Sequence, residues 1–144
     1  MSVYHEVFTV ASGQNVCFVD VTEQVENAIR KSGIKDGLVN VFSQHTSCSV
    51  FLQEDSEDIT YNQIPLLLQD MLNVFEKIIP TCRYEWQYLH PGPVHMENAM
   101  RLRNEKQEWL LNTDGHLRSV LLGRSETIPL IDGGGGGVEV RVVG

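Results

Sequence analysis

Apolar residues recur along this chain with two different periods, and each change of period marks an element. Ile64, Leu67, Leu68, Met71, Leu72, Phe75 and Ile79 fall at intervals of three and four, which predicts the main core helix. Asn62 is placed to cap it, and Pro65 comes early enough to be tolerated in its first turn. Upstream, Asp20 and Glu23 have capping-box spacing, Val21, Val25, Ala28 and Ile29 follow at helical intervals, and Gly33 stands where a C-terminal cap belongs. Residues 37–43 and 48–53 are too short and too β-branched for helices and predict strands. Residues 4–10 and 15–20, separated by Ser12-Gly13-Gln14, read as a hairpin. The pattern weakens from residue 80 to 109, where Pro91-Gly92-Pro93 interrupts regular structure, and residues 95–106 offer another helix. Asn112 or Thr113 then caps a short helix carrying Leu117, Val120 and Leu121, which Gly123 ends. Residues 125–131 and 138–143 close the chain as strands.

Strands interleaved with helices of unequal length predict an α+β fold. It is a single compact domain over residues 1–144, with a mostly antiparallel or mixed sheet and helices on one face. The five consecutive glycines at 133–137 have no side chains to pack and a large entropic cost to order, so a mobile run is expected there.

Charge narrows the function classes. With 19 acidic and 11 basic residues the net charge is −8, which argues against nucleic acid as a partner. No apolar run approaches a membrane span, and the start lacks an export signal. Cys17, Cys48 and Cys82 are odd in number and widely spaced, as reduced thiols in a cytoplasmic protein would be.

Two polar segments carry the candidate chemistry. In Gln44-His45-Thr46-Ser47, between two expected strands, an imidazole flanked by hydroxyls can exchange a proton near neutral pH while hydroxyls and amides hold an anionic oxygen. The alternative is an ordinary turn whose Ser and Thr satisfy backbone groups. Asn112-Thr113-Asp114-Gly115-His116-Leu117-Arg118 opens a helix, so an anion docked on its free amides also meets His116 and Arg118. Here the alternative is helix capping beside a solvated arginine. Glu54 leads a carboxylate run that could supply oxygen to a Mg²⁺ held partly by substrate phosphate, or be merely solvated. His90 and His95, with His45 and His116, raise Zn²⁺ as a lesser alternative, although their spacing matches no strong metal motif.

His45-Thr46-Ser47, an apolar strand and Glu54, followed later by Asp114-Gly115-His116-Leu117-Arg118, Leu121-Leu122-Gly123-Arg124-Ser125 and Ile128-Pro129-Leu130, together resemble the paired blocks of the YjbQ family. Members of that family are known as secondary thiamine phosphate synthases. The resemblance implies a homotrimer acting on a phosphorylated small molecule, joining a pyrimidine diphosphate to a thiazole phosphate with release of diphosphate. By the resemblance His45, Thr46, Glu54, Asp114, His116 and Arg118 line the site; the roles expected of the residues there are catalysis by His45, His116 and Asp114, phosphate contacts from Thr46, Ser47, Arg118 and Asn112, and Mg²⁺ near Glu54 or Asp114. The competing readings are a non-catalytic module binding a phosphorylated or metal-bound ligand, and a divalent-metal hydrolase. The chain departs from the family in having Gln53 and Asp55 where asparagines flank the glutamate. It also has the glycine run where relatives carry a Gly-x-Trp-Gln strand.

Overall fold

A computed structural model describes residues 1–13, 16–134 and 139–143, the last segment as backbone. The chain divides into two compact units, one made of residues 1–57 and 119–144, the other of residues 58–118.

The first unit holds the five strands found among the described residues. β1 (Phe18–Asp20), β5 (Glu139–Val143) and β3 (Ser49–Gln53) form one antiparallel sheet in the order β1-β5-β3, with Val143 lying between Phe18 and Ser49. β2 (Gly37–Phe42) and β4 (Ser125–Leu130) form an antiparallel pair with Gly37 opposite Leu130 and Phe42 opposite Ser125. The hairpin expected at residues 4–10 and 15–20 does not form, because β1 takes its ladder from β5. Residues 4–10 lie outside any strand. Their course is set by a Glu6–Lys31 ion pair at 2.8 Å and by Val10 packing on the core.

Between β1 and β2 runs α1 (Thr22–Ser32), ended by Gly33 at φ 67°, a left-handed conformation that glycine adopts without cost. Asp20 caps it from one residue further out than the capping box predicts, its carboxylate accepting from the Thr22 amide at 2.9 Å. The core of this unit gathers Val21, Val25, Val50 and Ile128, with Ile29, Val39 and Val41 packed against it. Asp132 and Gly133 turn the chain after β4, the Gly133 amide donating to the Lys35 carbonyl at 2.8 Å. The rest of the glycine run, 135–137, lies outside the described residues.

The second unit is helical. α2 (Leu66–Ile78) buries Leu68 and Phe75 but leaves Val74 and Ile78 more than half exposed, so the main core forms around α1 and the strands rather than here. Asn62 does not cap α2: Pro65, in extended conformation, precedes its first turn, and the Leu66 amide donates to the Asp58 carbonyl instead. α3 (Pro93–Arg103) starts on the second proline of the Pro-Gly-Pro, whose missing amide is no loss at a first helical position. A single 3₁₀ turn at Gln107–Leu110 leads to α4 (Thr113–Leu122), which begins in the second unit and ends, before Gly123 at φ 86°, in the first.

The faces of α4 are reversed from what its sequence suggests. Thr113, Asp114, Arg118 and Ser119 are buried, while the apolar residues that marked this helix, Leu117, Val120 and Leu121, are 43%, 83% and 59% exposed. Each inward hydroxyl and the guanidinium has a partner, which offsets the cost of burying them. Ser119 donates to the Cys48 carbonyl at 2.6 Å, Thr113 to the His90 carbonyl at 2.6 Å, and Arg118 to the Ile79 carbonyl.

Candidate functional site

In the second unit, the start of α4 sits among histidines. The His90 ring lies 4.7 Å from that of His95 and 6.1 Å from that of His116, centre to centre and edge-on in both cases. Three elements supply them: the turn before α3, the first turn of α3 and the first turn of α4. Thr113 fixes the first of these to the third, through its 2.6 Å bond to the His90 carbonyl. Desolvation pushes the His90 imidazole below its ordinary pKa, and the neighbouring His95 and His116 push it the same way. The Asp114 charge is felt by its surroundings: together with burial, the larger cause, it raises the Tyr88 phenol and the Cys82 thiol. Cys82, Tyr88 and His90 border a recess of about 10 Å³, room for roughly one water, with Tyr84 and Trp86 exposed at its edge. Helix N-termini, several imidazoles and a buried carboxylate together can hold an anion and pass a proton.

Arg118 belongs to the same unit but faces a different partner set. Its Nε and Nη2 donate to the Ile79 carbonyl at 3.1 and 2.7 Å, Nη2 reaches Glu76 Oε2 at 3.2 Å, and the guanidinium lies over the Phe75 ring. The side chain is 9% exposed. It closes the C-terminal end of α2, where orphan carbonyls need donors. Glu76 is a hub that sequence reasoning missed, since nothing distinguishes it from other surface carboxylates of a helix. It accepts from Thr81 Oγ1 at 2.7 Å, the Thr81 amide at 3.1 Å and Arg83 at 2.6 Å. The Thr81 hydroxyl first, and then Arg83, hold its carboxyl down at about 2.

The other nominated segment lies in the first unit. His45, Thr46 and Ser47 form a turn between β2 and β3, in which the Cys48 amide donates to the His45 carbonyl. Ser47 meets His45 Nδ1 twice, through its amide at 3.2 Å and its hydroxyl at 2.8 Å. A ring nitrogen that accepts from an amide carries no proton, so the neutral His45 ring is protonated on Nε2. The turn stands at one end of a cavity of about 790 Å³ lined by β2, α1 and residues 4–10. Cys48 also borders it; burial raises its thiol pKa, a hydrogen bond with Ser43 opposes the shift, and Cys17 adds to it. Glu54 is exposed beyond the end of β3, and Asn112 is half-buried ahead of α4, its carbonyl accepting from the His116 amide at 3.2 Å. The structure therefore brings His116 together with His90 and His95, Asp114 near Cys82 and Tyr88, and His45 with Ser47. The two nominated segments fall in different units.

Among the described residues no group of three or more His, Cys, Asp or Glu side chains could hold a metal ion. The set raised for Zn²⁺ is not such a group: His90, His95 and His116 lie edge-on to one another, and His45 belongs to the other unit.

The chain matches the UPF0047 protein YjbQ-like family over residues 6–135. It is 30% identical over 133 residues to a UPF0047 protein of Methanothermobacter thermautotrophicus, covering 92% of this chain and 74% of that one. It is also 30% identical over 125 residues to one of Archaeoglobus fulgidus, covering 87% and 75%. The fold is shared with a YjbQ/UPF0047 crystal structure from Clostridium acetobutylicum, with TM-score 0.65, 20% identity and coverage of 93% and 84%. A hypothetical protein from Aeropyrum pernix gives TM-score 0.64, 22% identity and coverage of 94% and 84%. The histidine-bearing helix start and the His45 turn are thus features of an α+β chain that belongs to the YjbQ-like UPF0047 family.

Proposed function

We propose that the protein is an enzyme of small phosphorylated substrates, with secondary thiamine phosphate synthase activity as its testable reaction. In that reaction the thiazole nitrogen of one substrate forms a bond to the exocyclic carbon of the pyrimidine substrate. The carbon–oxygen bond to diphosphate breaks, and the leaving group carries the electron pair away. The observation that carries the reading is the set of three imidazoles, His90, His95 and His116, grouped around the N-terminal turns of two helices. Free amides and ring N–H groups there stabilise negative charge as it grows on the departing diphosphate, and a ring of tunable pKa passes its proton. Exposed Tyr84 and Trp86 beside them offer faces on which a planar heterocycle stacks. Mg²⁺ would enter with the diphosphate and needs only one or two protein carboxylates, with Asp114, on the same helix turn as His116, the candidate.

The exposed apolar stripe Leu117, Val120 and Leu121 supports the homotrimer, since such a surface on a helix that buries its polar residues calls for a covering partner. Sedimentation velocity showing only monomer would remove that part of the reading. The three cysteines stand as free thiols, which suits a cytoplasmic location, and no described helix is long and apolar enough to cross a membrane.

The test is product formation from the pyrimidine diphosphate and thiazole phosphate with Mg²⁺ by the intact protein and by His116→Ala. Removal of a proton-transfer group is expected to lower the rate about 100-fold or more. Substrate bound by a folded protein with no product would establish the non-catalytic module instead.

A further inference from the structure

The cavity of about 790 Å³ in the first unit has no part in the reading above, and its walls specify a different kind of ligand. All eight residues from 38 to 45 border it. Side chains of a strand alternate between two faces, so an unbroken run on one wall means that the cavity follows the edge of β2. The opposite edge of β2 is taken by β4. Among the described residues, the backbone groups of 38–42 bond to no other element, so the edge facing the cavity presents a row of unpaired amides and carbonyls. The rest of the lining is mixed, with Ala28 and Ile29 of α1 and Val7, Phe8 and Val10 as its apolar part beside the polar His5, Thr9 and Ser32. An aliphatic ligand would leave the edge groups unsatisfied, whereas an extended peptide pairs with them and seats alternate side chains on those walls.

The two ends differ. Near the start of β2 the lining is Ile34, Leu38 and Leu130; at the other end it is Ser43, Gln44 and His45. Because Nδ1 of His45 is held by Ser47, its Nε2–H is the donor offered at that end. Among the described residues the one carboxylate on the lining, Glu6, is already paired with Lys31, so an incoming anion meets no bare charge from them. At about 3.3 Å per residue, the wall between Leu38 and Ser43 extends about 16 Å, the length of a five-residue strand.

We propose that this cavity is a recognition site for an extended apolar peptide with a free C-terminal carboxylate. The peptide adds to the open edge of β2 as a parallel strand and ends with its carboxylate on His45 Nε2–H. The site stands on the first unit alone and does not depend on the phosphate reading. The segment of residues 4–10, clasped at Glu6–Lys31 and at Val10, forms the far wall and leaves the edge open.

The probe is an N-acetylated Val-Thr-Val-Thr-Val peptide, titrated by calorimetry in three forms: free acid, C-terminal amide, and free acid with alternate backbone nitrogens methylated. The free acid is expected to bind one to one, with the amide at least about tenfold weaker and the methylated form not measurable. His45→Ala should bring acid and amide to the same affinity without altering the fold. Hydrogen exchange should show the amides of 38–42 slowing when peptide is added. Equal binding of the methylated peptide would remove the edge pairing, and equal binding of acid and amide to the intact protein would remove the role of His45. Slow exchange of 38–42 before any peptide is added would show that residues 4–10 already occupy the edge and would overturn the proposal, as would no binding at 1 mM peptide.

Discussion

α1 and α4 are of nearly equal length and are both amphipathic, yet they bury opposite faces. α1 turns Val25 inward and leaves Glu23, Glu26 and Arg30 to solvent, as burial of apolar area alone would dictate. α4 turns Thr113, Asp114, Arg118 and Ser119 inward and leaves Val120 and Leu121 out. The difference teaches that hydrophobicity places α1, whereas specific hydrogen bonds place α4: its inward groups are tied to the Ile79, His90 and Cys48 carbonyls. A helix held in that way keeps its first turn, with Asp114 and His116, in one fixed setting, which is what a site requires.

Substitutions can break this contrast. The largest effect is expected from Arg118→Met. A methionine on an apolar inward face would be tolerated, but here it deprives the Ile79 carbonyl of charged donors and should cost about 3 kcal/mol in urea unfolding. Val25→Ala removes two buried methyl groups from the α1 contact and should cost about 2 kcal/mol by the same measurement. Glu76→Gln probes the cluster that Arg118 joins. The carboxyl of Glu76 is held down to about 2 from an ordinary 4.5, so its contribution is complete above pH 4.5 and is lost as pH falls through about 2. Acid titrations followed by circular dichroism should therefore show a shallower loss between pH 4.5 and 2 in the glutamine variant. The smallest effect belongs to Val120→Gln, within about 0.5 kcal/mol for the isolated chain. A loss of several kcal/mol there, at low protein concentration, would show that the outward face of α4 is in fact packed within one chain.

Elements with a clear period were legible in the sequence: α1, α2, β2, β3 and β4 lie within a few residues of where the pattern put them, and Gly33 and Gly123 end helices by taking positive φ. The N-terminal hairpin was not, because strand propensity in residues 4–10 says nothing about which backbone edge is available, and β5, from the far end of the chain, takes β1. The inward face of α4 was equally hidden, since burying Arg118 depends on the Ile79 carbonyl and Glu76, which lie some forty residues earlier. Of the candidate site, His116 and Asp114 were readable as a helix start. The sequence raised His90 and His95 with His116 only as part of a Zn²⁺ alternative that also held His45; that the three group without His45 was not legible, because His90 sits on an irregular turn and His95 at the start of α3, and only the folded chain brings those rings to His116.

The most direct test of the histidine site is a ¹⁵N–¹H spectrum of the imidazole rings recorded while inorganic diphosphate is added at pH 7. The account predicts that His90, His95 and His116 shift together and saturably, with the pKa of His90 rising toward its ordinary value, while His5 stays still. Rings that do not respond, or that all respond equally with His5, would contradict it.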